Sequence, residues 1–506
     1  MKTYFTFFSC FIFLNTFSQN VSLDNTFGNS GIAITNNSTE INNLTIASDG
    51  SIFSTGYHSL GGGSDVYRLT LSKHNSNGSL ASNFGTNGLV YTEVEYSEFP
   101  MEIVLQQDGK ILTSGSTYLG PTQIGPGDHR SFIVRYHPNG TIDSSFATNG
   151  IFVLSYTDSH FNSILLQNNG SMLLVGNAGG QTCIVKLTAN GVLDTNYGSG
   201  GVKFLGDANY FLVNWGGISL NDGSILIYGY EASDFDNTKV SCAKVDQQGN
   251  FVNSFGQGGK VIMDTYDSDT IIGTVTELIS SAVELPNGKI MLHGYSLTGL
   301  VIKINANGTP DSGFGSNGIL THNYKSKNML IQPDGKILLG GNREISEYNY
   351  GFTITRLHTN GTLDLGFNGI GSFTVDYSPS NDYLQTMKLA HSGNSILVGG
   401  SSRDSNSIAH FMHAQIDISQ SLSLSENTAE VISAYPNPFT NELTFSIDGN
   451  ELSDIKLVDA SGRIVSTFQH IENNKLQLDY LSNGVYQIVF TLKSTGAINH
   501  VNVVKQ

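Results

Sequence analysis

Short apolar runs separated by turn residues occupy most of the chain. The stretch IVLQQDGKILTSG, which ends at Gly115, consists of two apolar runs on either side of Asp-Gly and a closing glycine. Asp-Gly and Asn-Gly accept the positive φ angles of a type I′ turn, which joins the strands of a tight β-hairpin. The pattern recurs in VELPNGKIMLHG, ending at Gly294, and in LIQPDGKILLGG, ending at Gly341. These runs predict an all-β protein built from hairpins.

A second phrase, LDNTFGNSG from Leu23, occurs with variations seven times. Its copies lie 51 to 62 residues apart, and each has an aromatic residue at the same place. Such spacing indicates one structural unit repeated along the chain. We expect the aromatic ring to fill the space between neighbouring units, and the Asp that usually precedes it to bond backbone N–H groups of its turn. The seven aromatic residues are Phe27, Phe84, Phe146, Tyr197, Phe255, Phe314 and Phe367.

Each repeat holds about four short strands: one after the aromatic phrase, two around the hairpin and one before the next turn. Seven units of four strands predict a seven-bladed β-propeller over residues 21–417. An open solenoid is the alternative, but it needs end caps, which the sequence does not display. The first repeat begins with the strand Gly31–Thr35, and the last one ends with Ile408–Asp417. We therefore expect the N-terminal strand to complete the last blade.

The spacing of apolar runs and turn residues changes after the repeats. Residues 418–432 are rich in Ser, Asn and Glu and are typical of a linker. Residues 433–506 contain three longer apolar stretches separated by turns. This pattern predicts a small antiparallel β-sandwich as a separate C-terminal domain.

The N-terminus and the cysteines indicate export. Residues 1–18 have the pattern of a secretory signal peptide, with small residues at Thr16 and Ser18 before the cut. The mature chain would keep Cys183 and Cys242, which are too few for a disulfide framework. Their offsets from the turn glycines place them on opposite faces of their sheets. We expect two buried free thiols.

Composition narrows the function classes. The chain has 25 basic and 42 acidic residues and a formal net charge of −17. Nucleic-acid binding is not expected, because neutralising phosphates needs clustered Lys and Arg. No apolar run beyond the N-terminus is long enough to span a bilayer, so no transmembrane segment is predicted.

Two resemblances follow from these patterns. The phrases DGKI, RYHPNGTID and FGSNG resemble the delta-60 repeat of bacterial secreted proteins. That resemblance implies a propeller and, because propellers serve unrelated activities, no particular function. Residues 433–506 resemble the C-terminal sorting domain of the type IX (Por) secretion system, type A. The matching residues are Tyr435, Pro436, Asn437, Pro438, Asp459, Gly462, Arg463, Val465, Gly484, Tyr486 and Lys505.

The second resemblance implies a route for the protein. Sorting domains of this family are recognised by the outer-membrane secretion machinery and then removed. The protein would be secreted or attached to the outer cell surface.

Candidate chemistry is sparse. The sequence lacks the common hydrolase, zinc-protease, phosphate-loop and Cys-x-x-Cys motifs, so we predict no catalytic or cofactor-binding residues. His410 and His413 lie three apart in a strand and should not share a metal ion. The acidic clusters Asp234–Asp236 and Asp264–Asp269 could hold Ca²⁺, the only metal considered, or could be solvated loops.

Two features could serve a ligand. Trp215 could stack on a sugar, although the apolar stretch FLVNWGGISL favours a core or inter-blade position. The insertion Ser116–Arg130 could be a binding loop or a tolerated surface insertion. We expect a binding scaffold for a neutral polysaccharide or a surface protein. The alternatives are a carbohydrate-active hydrolase or lyase using carboxylates at the propeller channel, and a purely structural or adhesive role.

Overall fold

The computed structural model divides the chain into two compact units, residues 1–420 and 421–506. The residues it describes are 21–35, 39–60, 66–120, 129–206, 211–234, 237–265, 277–295, 298–322, 326–346, 349–378, 381–390, 393–404, 408–419, 434–459, 464–471, 473–493 and 498–506. The expected signal peptide and most of the expected linker lie outside these ranges. In the described part of the chain, no helix has the length and apolar character needed to cross a bilayer.

The described residues of the first unit form short β-strands joined by turns and loops. Strands β1 and β2 span Ser22–Leu23 and Ile32–Thr35. Six four-stranded antiparallel sheets follow, which we call blades 1 to 6.

The strands of blades 1 to 3 are β3 to β14: Thr39–Ile46, Ile52–Ser59, Tyr67–His74, Leu89–Thr92, Ser97–Leu105, Ile111–Tyr118, His129–Tyr136, Ile151–Thr157, His160–Leu166, Met172–Ala178, Gln181–Leu187 and Val202–Phe204. The strands of blades 4 to 6 are β15 to β26: Phe211–Ser219, Ile225–Asp234, Asn237–Val245, Lys260–Met263, Leu278–Glu284, Ile290–Tyr295, Gly299–Ile304, Ile319–His322, Ser326–Ile331, Ile337–Ser346, Asn349–Leu357 and Ser372–Val375. The first strand of each blade is its inner strand.

Blade 7 joins the two ends of the repeat array. It contains β27 to β29, which span Asp382–Ala390, Ser395–Arg403 and Ala409–Asp417, together with β1 and β2 from the N-terminus. Ile32 of β2 pairs with Ala414 of β29, and Thr35 pairs with Phe411. The predicted completion of the last blade by the N-terminal strand is therefore confirmed.

The blades form a closed ring. Each inner strand contacts the inner strand of the next blade, from β3 through β7, β11, β15, β19 and β23 to β27, and β27 contacts β3 again. The hydrophobic core lies between blades, where one face of each sheet packs on the next. The predicted all-β class, a seven-bladed propeller followed by a small antiparallel sandwich, is confirmed.

The aromatic residues of the repeated phrase are buried at these seams, with at most 5% of each residue exposed. The turn glycine of the following blade lies directly against the ring: Gly78 against Phe27, for example, and Gly140 against Phe84. The residue after the aromatic residue donates its backbone N–H to the turn that contains this glycine. Gly28, for example, donates to the carbonyl of Asn77 at 2.7 Å. A side chain on the turn glycine would displace the ring, and each glycine also has a positive φ.

The Asp of the phrase bonds the backbone N–H two residues further on, as predicted. This hydrogen bond is present for Asp24, Asp143, Asp194, Asp311 and Asp364. The same carboxylate often pairs with a cation on the third strand: Arg356 Nε lies 2.8 Å from Asp364 Oδ2, and its guanidinium lies over the Phe367 ring. In blade 4, where Val252 replaces the Asp, Lys244 binds Asp222 instead, at 2.7 Å.

The hairpin glycines have a different task. Every inner strand contains a β-bulge, and the glycine that closes the hairpin pattern lies beside it on the second strand. A Cβ atom on Gly115 would collide with the carbonyl oxygen of Phe99, and Gly56 and Gly176 are confined in the same way. The closing glycine is thus required by close backbone approach.

Both cysteines are buried free thiols, as predicted. Cys183 packs with residues of blade 2, and Cys242 packs with residues of blade 5, so they use opposite faces of their sheets. Burial raises the pKa of each thiol to about 12.

The C-terminal unit has two antiparallel sheets around its own core, which includes Phe439, Leu457 and Phe490. Strands β30 to β36 span Ala434–Tyr435, Glu442–Phe445, Leu452–Asp459, Ile464–Phe468, Lys475–Gln477, Gly484–Leu492 and Ile498–Lys505, and a 3-10 turn spans Gly449–Glu451. One sheet has the order β30-β31-β34, and the other has β33-β32-β35-β36.

Candidate functional site

The two faces of the propeller differ in how regular they are. The Asp-Gly hairpins, the Asn-Gly turns and the aromatic phrases all lie on one face, which we call the lower face. At the opposite, upper face the second strands end and the third strands begin, and the connections between these strands vary in length and sequence. These connections are residues 60–66, 119–128, 179–180, 235–236, 296–298, 347–348 and 404–408. The features that distinguish one repeat from another therefore concentrate on the upper face.

The bulges of the inner strands form a ring around the axis. The inner strand pairs only with the second strand, so its other edge faces the axis, and the bulge lies near the upper end of the strand. At each bulge the register of the two strands skips one residue of the inner strand. We call these residues the bulge ring; they are Asn42, Met101, Asn162, Trp215, Ser280, Lys327 and Gln385. All are at least partly exposed, whereas the residues around them are mostly buried.

Neighbouring inner strands are joined by polar contacts at the bulge ring. Lys327 Nζ lies 3.3 Å from Gln385 Oε1. The Asn42 amide donates to the carbonyl of Pro100 at 2.6 Å, and the Ser280 hydroxyl donates to the carbonyl of Lys327 at 3.4 Å. The ring is thus a set of amide, hydroxyl and apolar groups and the ammonium group of Lys327, with hydrogen bonds between neighbouring inner strands.

Few charges face the axis near the ring. Burial raises the pKa of Glu102, the residue after Met101, to about 7, and the ammonium group of Lys388 opposes this shift. Burial also lowers the pKa of Lys327. Glu98 has a pKa raised to about 7 by burial, but its carboxylate accepts the N–H groups of Val94 and Glu95 and so stabilises a loop. Among the described residues, no second carboxylate is placed beside Glu102.

An aromatic row extends across blades 1 to 3 on the upper face. Successive ring centroids lie 4.9 to 6.3 Å apart. The row consists of Tyr57, Tyr67, Phe99, Tyr118, His129 and His160. Glu40 accepts the Tyr57 hydroxyl at 2.9 Å and pairs with Arg403 of blade 7 at 3.1 Å.

The structure corrects one sequence interpretation. Trp215 is 49% exposed on the bulge ring and does not lie in the core or at a seam. The apolar stretch around Trp215 does not bury it, because Trp215 is the residue inserted at the bulge between Asn214 and Gly216. The described ends of the insertion Ser116–Arg130 lie at the upper face, where β8 ends and β9 begins. Residues 121–128 lie outside the described ranges.

The metal candidates gain no support. The two acidic clusters fall largely outside the described ranges, and Asp264 pairs with Lys239 at 3.2 Å. His410 contacts Asp404, whereas His413 is buried against Ser54, so the two histidines do not meet. In the part of the chain that the structure describes, no group of His, Cys, Asp or Glu is arranged to hold a metal ion.

In the C-terminal unit, residues of the sorting motif meet at one edge. Asn437 Oδ1 accepts the N–H of Val504 at 2.8 Å. Phe439 donates its N–H to Val504 and accepts that of Gln506, so the Tyr-Pro-Asn-Pro turn is tied to the last strand. Lys505 is 7% exposed, and its ammonium group lies 5.5 Å from the centroid of the Phe439 ring.

The remaining motif residues are spread over the unit. Tyr435 is 52% exposed, and Pro436 and Pro438 are also exposed. In the strand register Gly484 pairs with Lys505, and Asp459 pairs with Tyr486. The Tyr486 hydroxyl donates a hydrogen bond to the Ser482 carbonyl, and Val465 packs against the core. Gly462 and Arg463 lie outside the described ranges.

Two protein families match parts of the chain. A secretion system C-terminal sorting domain matches residues 433–504. A beta-propeller domain of unknown function (DUF5122) matches residues 106–146, 167–197, 285–314 and 332–367. The chain thus has a type IX sorting domain that follows a propeller in the sequence. The protein is exported by that route to the cell surface or the extracellular space.

Solved structures with similar architecture share little sequence with this chain. PorZ, an essential surface component of the type-IX secretion system of Porphyromonas gingivalis, is 11% identical with a TM-score of 0.39, covering 92% of this chain and 59% of PorZ. The polysaccharide lyase Uly1 is 12% identical with a TM-score of 0.43, covering 74% of this chain and 90% of the lyase. This chain therefore spans 59% of the length of PorZ. No curated protein matches it in sequence.

Proposed function

We propose that the exported protein is a binding scaffold whose upper face, centred on the bulge ring, holds a neutral polysaccharide. The observation that carries this proposal is the exposed Trp215 on the same ring as the amides of Asn42, Asn162 and Gln385. An exposed indole offers a flat apolar face for a sugar ring. Amide groups can donate and accept hydrogen bonds with hydroxyl groups without adding charge.

The ring meets the usual requirements of a ligand site. It combines apolar surface with a few polar groups held by rigid elements, and it lies at the mouth of a ring-shaped fold. The aromatic row on blades 1 to 3 would extend the same surface outwards. A surface protein remains the second ligand class, since loops on a rigid frame also bind proteins.

A hydrolase or lyase is less well supported. Acid–base hydrolysis of a glycosidic bond uses two carboxyl groups on either side of the bond. Glu102 has a suitably raised pKa, but the charge placed beside it is that of Lys388. A binding role needs no such pair.

The test uses the single tryptophan of the chain as a built-in reporter. The full-length secreted protein is titrated with a panel of neutral polysaccharides, with and without Ca²⁺, while the indole fluorescence is followed. We expect a saturable change of intensity or wavelength with at least one polysaccharide. Trp215→Ala should weaken the same binding about tenfold or more when it is measured by calorimetry.

Tyr91→Ala is the matched control, because Tyr91 is a similarly exposed aromatic residue on the outer strand of blade 1. It should leave the affinity unchanged. Absence of any fluorescence response across the panel, or equal affinity of the Trp215→Ala variant, would remove the bulge ring as the binding site.

A further inference from the structure

An open pocket of about 440 Å³ lies on the lower face at the rim between blades 3 and 4. Its walls include Lys203 and Phe204 of blade 3 and Asn250, Phe251 and Lys260 of blade 4. None of the described residues that line it is acidic. Two lysines in one pocket are unusual in a chain with only 25 basic residues and a net charge of −17.

The other repeats provide internal references for both lysines. Lys203 is the second residue of the outer strand, where the other blades have Ala33, Val90, Phe152, Val261, Leu320 and Phe373. Lys260 is the first residue of that strand, where the others have Ile32, Leu89, Ile151, Val202, Ile319 and Ser372. The fold itself therefore requires no cation at either position.

Two aromatic residues of the site also depart from the repeat. Phe251 occupies a position held elsewhere by Leu or another non-aromatic residue, such as Leu193 and Pro310. Tyr197 is the one tyrosine among the seven phrase aromatics. Its hydroxyl lies against Gly249 of the pocket wall, is buried and has no hydrogen-bond partner among the described residues.

The geometry shows how these groups are arranged. The carbon stem of Lys203 packs on Gly249, as Val90 packs on Gly140, and its ammonium group reaches Asn250 Oδ1 at 3.3 Å. The ammonium group of Lys260 lies 5.1 Å from the centroid of the Phe251 ring. The nearby acid, Asp246, accepts the backbone N–H groups of Gln248 and Asn250 and the side-chain amide of Asn250. The ammonium group of Lys203 also contributes to lowering the pKa of Asp246, so part of the positive charge of the pocket faces this carboxylate.

From this concentration of departures we infer that the pocket binds a carboxylated sugar, a uronate unit of an acidic polysaccharide. The lysines supply charge-assisted hydrogen bonds to the carboxylate. Phe251 and Phe204 supply apolar surface for the sugar ring, and Asn250 supplies hydrogen bonds to hydroxyl groups. The net negative charge of the chain disfavours ligands that carry more than one charge per unit. This site is separate from the bulge ring and does not depend on the function proposed for it.

The test compares the full-length protein with variants that restore the residues found in other blades. Lys203→Val and Lys260→Ile, combined in one chain, remove both charges while keeping side chains that the repeat accepts. Binding of a short oligogalacturonate at low salt is measured by calorimetry, next to the neutral galactose oligomer and inorganic phosphate. We expect saturable binding of the uronate alone and an affinity at least tenfold lower in the double variant.

Two controls check that the uronate binds in this pocket and nowhere else on the protein. Lys110→Met removes a partly exposed lysine of a lower-face hairpin in blade 2 and should leave the affinity unchanged. Trp215 fluorescence should not respond to the uronate, since the indole lies near the opposite face. The proposal is overturned if the wild-type chain does not bind the uronate, if the double variant binds it equally well, or if phosphate binds as tightly.

Discussion

The buried histidines show how single residues tie blades together. At the seam between blades 7 and 1, His413 Nε2 lies 2.7 Å from the Ser54 hydroxyl, and His74 Nε2 lies 3.2 Å from that of Thr35. The two imidazole rings are 4.4 Å apart between centroids. Burial lowers the pKa of His74 to about 4 and that of His413 well below its usual value. Both rings are therefore neutral in the folded protein at neutral pH.

These shifts predict acid sensitivity of the seam. Between pH 6.5 and about 4 the unfolded chain binds protons at His74 that the folded chain does not bind, so the free energy of unfolding falls as the pH falls. One such group contributes up to about 1.4 kcal/mol per pH unit. His74→Gln removes the titration and keeps a side chain that can bond Thr35, so it should flatten this part of the profile.

The measurement is chemical denaturation of both proteins at a series of pH values. Above pH 6.5 the two free energies should differ by a constant offset, because the imidazole is then mostly neutral in both states. Parallel profiles down to pH 4 would show that His74 does not carry the effect.

At the scale of elements, the β-bulge of each inner strand and the closing glycine opposite it depend on each other. The bulge brings the inner-strand backbone so close to the second strand that no side chain fits at the closing glycine. It also supplies the inserted residue of the bulge ring. The glycine that ends each hairpin pattern therefore marks the position of the bulge in the sequence.

Gly115→Ala is expected to destabilise the protein by about 3 kcal/mol or more, because the new methyl group would overlap the carbonyl of Phe99 and displace the bulge. Gly313→Ala is the matched control, since its nearest neighbour would be the Asp311 carboxylate at an ordinary 3.5 Å. The control should change stability by less than about 1 kcal/mol. Equal unfolding midpoints in denaturant for the two variants would contradict the assigned role of Gly115.

The hairpins, the number of repeats and the closure can be predicted because each leaves a local signal that recurs. The bulge ring cannot, since the residues at the bulges share no chemistry: Asn, Met, Trp, Ser, Lys and Gln all occur there. For the same reason the apolar stretch around Trp215 wrongly predicts a buried position, because the sequence does not show that Trp215 is the inserted residue of a bulge. The lysines of the rim pocket can be found by aligning the copies and looking for charge where the repeat has apolar residues.

At the scale of the whole molecule, closure depends on one short N-terminal segment. Residues 21–35 supply the buried Phe27, Ile32 and Thr35 and cover the edge of β29. An uncovered strand edge in a propeller of this size would invite pairing with other chains. The segment thus completes both the core and the perimeter.

Deleting residues 21–35 should lower the unfolding temperature by about 10 °C or more and cause self-association. A permuted chain, in which this segment follows residue 417 through a short turn, is the control. Ser22 already pairs with Asp417, so the connection needs no rearrangement. The permuted chain should keep the wild-type transition and the molar mass of the wild-type protein in light scattering. A deleted chain with the same transition would contradict this role.

The closing strand also imposes an order on folding. The segment that completes blade 7 precedes blades 1 to 6 in the chain, and its partner β29 is made only after those six blades. The N-terminal strand must therefore wait unpaired while most of the propeller is synthesised. Loop closure over such a separation is entropically costly and slow. Blade 7 is the last blade that can be finished, and the ring cannot close before β29 has been made.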